Sequence, residues 1–196
     1  MGLSIHYTGS IRSGESLSAL IEEVKDIAEI NEWEHFVFEN KFPMGSLGKK
    51  EFNQSIYGIS FTPPGCETID LCFLSNGRMS SAINLRYNGN ISDNKEASNL
   101  YSLHAKTQYA GIEIHKQVIH LLKYLSLKYL KGFKLTDEGN YWETLDEKKL
   151  EDKFREYDFL IQSFKSSLKN DPIRSGENME SYFKRLFKQI RLKNRK

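Results

Sequence analysis

The feature that most constrains this fold is a long apolar helical repeat that begins at Gly111. Between Gly111 and Leu130, large apolar residues recur every three or four positions, which places them on one face of an α-helix. That face consists of Ile114, Val118, Leu121, Leu122, Leu125 and Tyr129, and Ile112 and Ile119 widen it. His120, Lys123 and Lys128 interrupt the apolar run before it reaches the length of a membrane-spanning helix. We therefore expect this helix to lie in the core of a soluble protein.

Strand patterns lie on both sides of this helix. Leu103–Tyr109 precedes it and Phe133–Leu135 follows it, an order that predicts a β-α-β unit. Strands of one sheet that are joined through a helix run parallel, so the carboxyl ends of these two strands should meet at one edge. The N-terminus shows the same order, with a strand at Leu3–Tyr7, an amphipathic helix at Ser16–Ile30 and a strand at Phe36–Phe38.

The middle of the chain predicts three more strands in a meander. They are Ile56–Phe61, Thr68–Leu74 and Ala82–Tyr87. Pro-Pro-Gly at 63–65 and Asn-Gly at 76–77 separate them, and Asn-Gly is typical of a tight hairpin turn because both residues tolerate positive φ.

Two helices are predicted at the C-terminus. Thr144 and Glu147 have the spacing of a capping box, which would start a helix that ends near Asn170, and Ser175 would cap a final helix. The whole order predicts an α+β fold, with one mixed β-sheet (β-α-β-β-β-β-β-α-β), helices packed on it and a C-terminal helical hairpin. We expect a core domain at 1–170 and a basic C-terminal helix at 171–196 that packs on it.

Charge is unevenly distributed along the chain. Residues 184–196 hold seven basic and no acidic residues, and subtracting those seven from the net charge of +2 leaves −5 for residues 1–183. The side chains that could contact a nucleic acid or an acidic protein are Lys184, Arg185, Lys188 and Arg191. The alternative is a solvated helix end whose positive charges suit the helix dipole.

The edge where the two predicted parallel strands end is the candidate ligand site, because open sheets with helical crossovers bind ligands there. The residues placed at this edge are His104, Lys106, Gln108, Tyr109, Glu138, Tyr141 and Trp142. The positive end of the long helix points to the same edge and would favour an anion. The alternative is a plain turn in which Tyr141 and Trp142 anchor the chain by packing.

The sequence predicts neither a metal nor a cofactor. His115 and His120 are five residues apart and diverge around the helix, whereas zinc helices present histidines four residues apart. No phosphate-binding loop or nucleophile motif is found in the sequence. Cys66 and Cys72 lack the spacing of a zinc site, and we expect two reduced thiols, as in a cytoplasmic protein.

Two functional hypotheses follow from these residues. The first is a non-enzymatic binding or interaction protein, which we favour because no complete catalytic constellation is visible. The alternative is a small enzyme with an acid–base site at the sheet edge near Lys106 and Glu138, in which His104 could also take part.

Overall fold

The computed structural model describes the backbone of residues 3–89 and 96–193, and the side chains of all of these except 96–98 and 191–193. The strands are β1 (Ser4–Ile11), β2 (Glu34–Val37), β3 (Tyr57–Thr62), β4 (Ile69–Phe73), β5 (Leu103–Lys106) and β6 (Leu130–Asp137). The helices are α1 (Ser16–Ile30), α2 (Ala82–Asn88), α3 (Gly111–Tyr129), α4 (Tyr141–Thr144), α5 (Glu147–Asn170) and α6 (Met179–Lys193). Short 3₁₀ turns precede β5 and α3.

Sheet A has the strand order β5-β1-β6, and β1 is antiparallel to both of its neighbours. The strands β5 and β6 therefore run in the same direction within one sheet, as predicted, but β1 lies between them. Tyr7 illustrates the arrangement, since it pairs with Leu103 on one side and with Leu135 on the other. The helix α3 packs against this sheet and supplies the predicted apolar face.

Sheet B has the order β2-β3-β4 and is antiparallel throughout. The α+β class is confirmed, but two separate antiparallel sheets replace the single mixed sheet that we expected. The predicted N-terminal β-α-β unit is also wrong, because β1 and β2 belong to different sheets. The helix α1 packs on sheet B and buries Leu17, Leu20, Ile21, Val24 and Ala28.

The segment Ala82–Tyr87, predicted as a strand, is the helix α2. The side chain of Ser81 accepts a hydrogen bond from the backbone N–H of Asn84 and so caps the first turn. Leu85 is the buried residue of this short helix and packs in a cluster with Ile56 and Leu100. Ile83 and Tyr87, which with Leu85 form the alternation in the sequence, are exposed in the fold.

Two helix starts differ from those predicted. Asp146 rather than Thr144 caps α5, because its carboxylate accepts from the N–H of Lys149. Asn178 rather than Ser175 caps α6 by accepting from the N–H of Ser181. Both caps lie closer to the helix than the residue chosen from the sequence.

By its internal contacts the chain divides into two compact units, Met1–Leu150 and Glu151–Lys196, with the boundary inside α5. The boundary expected from the sequence was at residue 170. Within the second unit, the ring of Phe164 stacks on the rings of Phe183 and Phe187, so α5 and α6 form the predicted hairpin. No helix among the described residues is long and apolar enough to cross a membrane.

Candidate functional site

The ligand site was predicted where β5 and β6 end, and in sheet A Ser4 of β1 lies between these two strand ends. Ser4 is in register with Lys106 on one side. On the other side its N–H donates to Glu138 Oε2 at 2.8 Å, and the N–H of Glu138 donates to its carbonyl at 3.1 Å. The ends of β5 and β6 therefore flank Ser4, and the Glu138 carboxylate binds backbone there.

The other predicted residues differ in their exposure. His104 is exposed, with its ring centroid 6.0 Å from that of His6 in the adjacent strand. Tyr109 is exposed as well, whereas Gln108 is 4% exposed. Neither amide atom of Gln108 has a hydrogen-bond partner among the described residues.

The aromatic pair after β6 packs on α3. The hydroxyl of Tyr141 is 3.2 Å from His120 Nε2, and Tyr141 is buried. Trp142 contacts the ring of Phe133 edge-on, and the ammonium of Lys123 lies 5.2 Å from the centre of its indole ring. These contacts support the alternative that Tyr141 and Trp142 serve as packing anchors.

A buried polar network that the sequence analysis missed lies beneath this edge. The hydroxyl of Thr107 is 2.7 Å from His115 Nδ1, and His115 Nε2 is 3.3 Å from Asp137 Oδ2. The three side chains come from the ends of β5 and β6 and from the second turn of α3, and all three are buried. The network links the three elements of the predicted β-α-β unit.

Asp137 also holds the turn that follows β6. Its carboxylate accepts from the N–H of Gly139 at 2.7 Å, of Tyr141 at 2.7 Å and of Trp142 at 3.1 Å. Burial raises the pKa of Asp137, but its interactions with His115 and with these backbone donors outweigh burial and lower the pKa overall. Because every member is inaccessible, the network positions the chain and is poorly placed to meet a ligand.

A cleft of about 350 Å³ between β4, β5 and α2 is a better candidate for a ligand site than the buried network. It is lined by Glu67, Thr68, Asp70, Ser81, Ile83, Asn84, Ser102, Leu103 and His104. Of the predicted site residues His104 lies here, so the structure connects it to side chains that the sequence analysis did not consider.

Asp70 is the distinctive residue of the cleft. Its backbone is fixed by Tyr7, whose hydroxyl accepts from the N–H of Asp70 at 2.9 Å and donates to its carbonyl at 3.2 Å. Burial raises the pKa of the Asp70 carboxyl to about 6. Burial also raises the pKa of Tyr7 well above its ordinary value, and the nearby Asp70 charge raises it further.

The cleft has an acidic lining. Among its nine residues, all in the described part of the chain, none is a Lys or an Arg. One carboxylate, that of Glu67, accepts from the backbone N–H of Lys106 at 2.8 Å. The lining therefore holds no Lys or Arg that could pair with Asp70, and His104 is the one lining residue whose side chain can carry a positive charge.

A larger depression of about 820 Å³ lies between the start of α1 and the loop at 40–47. Its titratable side chains are Glu15 and Lys41, and both are exposed to solvent. Its size alone therefore does not make it the better candidate. Within the described residues, no group of three or more His, Cys, Asp or Glu side chains is placed to hold a metal ion.

The four predicted polyanion contacts differ in their surroundings. Lys184 is exposed and pairs with Glu180, and Lys188 is exposed. Arg185 is engaged by Glu177 within the hairpin and is 16% exposed. The side chain of Arg191 lies outside the described residues.

Comparisons with protein-family models, with curated proteins and with solved structures find no match to this chain.

Proposed function

We propose that this protein is a non-enzymatic binding protein that takes a small, positively charged ligand in the cleft between β4, β5 and α2. The observation that carries the proposal is the Asp70 carboxyl, which lines the cleft where no Lys or Arg side chain of the lining compensates it. A carboxylate that loses water without gaining a cation is unfavourable. An ammonium or guanidinium group would supply the missing charge.

The rest of the lining fits a ligand that is polar at one end. Thr68, Ser81 and Asn84 place hydroxyl and amide groups in the lining, and Ile83 is an exposed apolar side chain at the rim. Each of the three polar side chains also makes a hydrogen bond within the protein, which fixes its position. Small-molecule sites combine apolar contact with a few fixed polar groups in this way. The bond between Tyr7 and the Asp70 backbone holds the carboxylate-bearing residue in place before a ligand arrives.

The proposal is tested by titrating the protein with benzylamine and agmatine, and with benzyl alcohol as a neutral control. Backbone amide shifts observed by NMR should move in β4 and at the start of α2 for the two cations, and not for the alcohol. Asp70→Asn should abolish these shifts, whereas Asp26→Asn, a matched change on the exposed face of α1, should leave them unchanged. Equal responses to the alcohol, or to the amines in Asp70→Asn, would exclude this site.

The second candidate function is a small enzyme that uses the same cleft. The observation that favours it is that the Asp70 carboxyl, whose pKa is about 6, lines the same cavity as the imidazole of His104. General acid–base catalysis needs a group that exchanges its proton near neutral pH, and the pKa of Asp70 meets this requirement. The pair Lys106 and Glu138 is less well placed, since the Glu138 carboxylate is bound to the N–H of Ser4. Hydrolysis of p-nitrophenyl esters or glycosides that Asp70→Asn and His104→Asn both abolish would favour the enzyme.

A further inference from the structure

The strand β2 forms one edge of sheet B, and its outer side is unpaired among the described residues. It pairs with β3 from Glu34 opposite Thr62 to Val37 opposite Ile59. Just beyond it, the N–H of Phe38 donates to the carbonyl of Gly58 at 2.9 Å. Since backbone groups of an antiparallel strand alternate in direction, those of Phe36 also face β3, and those of His35 and Val37 face away from the sheet.

An aromatic surface lies beside this free edge. Phe36 is 61% exposed, and its ring packs edge-on against Phe38 at 4.8 Å between centroids. His35 points to the opposite face, where its Nε2 lies 3.9 Å from Glu29 of α1. Phe36 and Phe38 therefore lie on the face away from α1, where with Ile56 they line a groove of about 420 Å³.

Acidic residues predominate around β2, although Lys25 and Lys41 border this segment. Residues 26–40 contain five acidic residues and no Lys or Arg. Three of these, Glu32, Glu34 and Glu39, are exposed at the two ends of β2. A strand that docks here would meet negative charge at both of its ends.

We propose that β2 binds an extended peptide as a fourth strand of sheet B, and that the peptide carries Lys or Arg residues around an apolar side chain that packs on Phe36. The outward N–H and C=O groups of His35 and Val37 supply the main-chain hydrogen bonds, and the acidic flanks select the sign of the partner. A second copy of this chain is a poorer occupant, because two β2 strands would bring like charges together. This site is separate from the cleft that contains Asp70 and does not depend on it.

The probe is a short fluorescent peptide of alternating Lys and Val, titrated against the intact protein and followed by anisotropy. Two control peptides accompany it, one with Glu in place of Lys and one with N-methyl groups on the amides of one edge. We expect at least a tenfold weaker affinity for both controls, because the first has the wrong charge and the second cannot complete the strand ladder. Affinity for the Lys peptide should also fall as salt is raised.

Two variants place the site on β2. Phe36→Ser should weaken binding about tenfold, since it removes the apolar contact. The control Phe159→Ser, a change at a half-exposed phenylalanine of α5, should leave the affinity unchanged. Val37→Pro removes an outward N–H that β3 does not use and should have a similar effect to Phe36→Ser. If Val37→Pro fails to fold, Phe36→Ser alone decides, because its side chain is exposed.

Four results would overturn the proposal. The first is equal binding of the N-methylated peptide, and the second is unchanged affinity in Phe36→Ser. The third is concentration-dependent dimerisation that Phe36→Ser abolishes, which would show that a second copy occupies the edge. Absence of binding by any of the peptides at low salt would also overturn the proposal, and it would indicate that the glutamates protect a short edge strand from pairing, as charged edge residues commonly do.

Discussion

Asp70 should lower the stability of the folded protein at alkaline pH. Its pKa is raised to about 6 in the fold, so its contribution to stability is fully present below the pKa of the unfolded chain and is lost as pH rises through 6. We expect Asp70→Asn to raise the free energy of unfolding by roughly 1–3 kcal/mol near pH 8, and by little near pH 4. Urea denaturation at the two pH values measures this. A variant equally destabilised at both would mean that the carboxyl is a structural acceptor.

Asp70 and His115 show how much about a single residue can be predicted from the sequence. Asp70 interrupts the apolar run at 69–73, and a lone charge in a buried strand was the available signal for it. His115 was compared with His120 because the two share a helix, whereas its partners Thr107 and Asp137 lie in other elements. Spacing along one helix reports neighbours on that helix, and it cannot reveal a partner that only the tertiary fold brings close.

Two basic residues of the C-terminal hairpin differ in their surroundings, since Arg185 forms ion pairs within the fold and Lys188 is exposed to solvent. Arg185 donates to both carboxylate oxygens of Glu177, at 2.9 and 2.8 Å, and to Asp171 at 3.2 Å. Hydrogen bonds from Arg185 lower the pKa of Glu177 to about 2, despite the opposing effect of desolvation. Arg185 therefore joins the segment between the two helices to α6, whereas Lys188 is exposed.

The two residues should respond differently to the same substitution. Arg185→Gln should destabilise the hairpin, because it leaves Glu177 without its bidentate partner. Lys188→Gln should leave the fold intact and, if the helix binds a polyanion, should reduce the slope of log affinity against log salt for short duplex DNA by about one phosphate contact. Circular dichroism melting and DNA titration at low and physiological salt measure the two effects. Absence of DNA binding at low salt would leave these cations as a solvated surface.

Helix and strand periodicity predicted most elements, and the errors have a common cause. The boundaries of α1 and α3 agree with the sequence pattern, since each buries a wide apolar face. The error at α2 arose because Ile83 and Tyr87, which suggested a strand, are both exposed in the fold. Ser81, whose capping bond starts the helix, was the signal that opposed the strand.

The division into two sheets could not be predicted from pattern alone. Periodicity predicted the strands β5 and β6 and their common direction, but the sequence does not state which strand pairs with which. The pairing of Tyr7 with Leu103 and with Leu135 joins residues far apart in the chain. The common direction of β5 and β6 was therefore predicted, while the cleft, which needs β4 and β5 to come together, was missed.

The stability of the protein should pass through a maximum at about pH 4, the ordinary pKa of an aspartate, because the pKa values of Asp70 and Asp137 are shifted in opposite directions. The pKa of Asp70 is raised, so its contribution is lost as pH rises through 6. The pKa of Asp137 is lowered overall, so its contribution is present above the unfolded value and is lost as pH falls through the lower, folded value. In a plot of the free energy of unfolding against pH, the decrease at alkaline pH (the alkaline limb) is thus due to Asp70, and the decrease at acid pH (the acid limb) is due to Asp137.

Single variants should remove one limb each. Asp70→Asn should flatten the alkaline limb and leave the acid limb unchanged. Asp137→Asn should flatten the acid limb and lower the free energy of unfolding near neutral pH by about 2–4 kcal/mol, because the buried backbone donors of Gly139 and Tyr141 would lose a charged acceptor. Urea unfolding of the intact protein and both variants between about pH 2 and pH 8 gives the profile. If Asp137→Asn retained the full acid limb, the acid sensitivity would have to come from half-buried carboxylates such as Glu23 and Asp146, whose pKa values are also lowered.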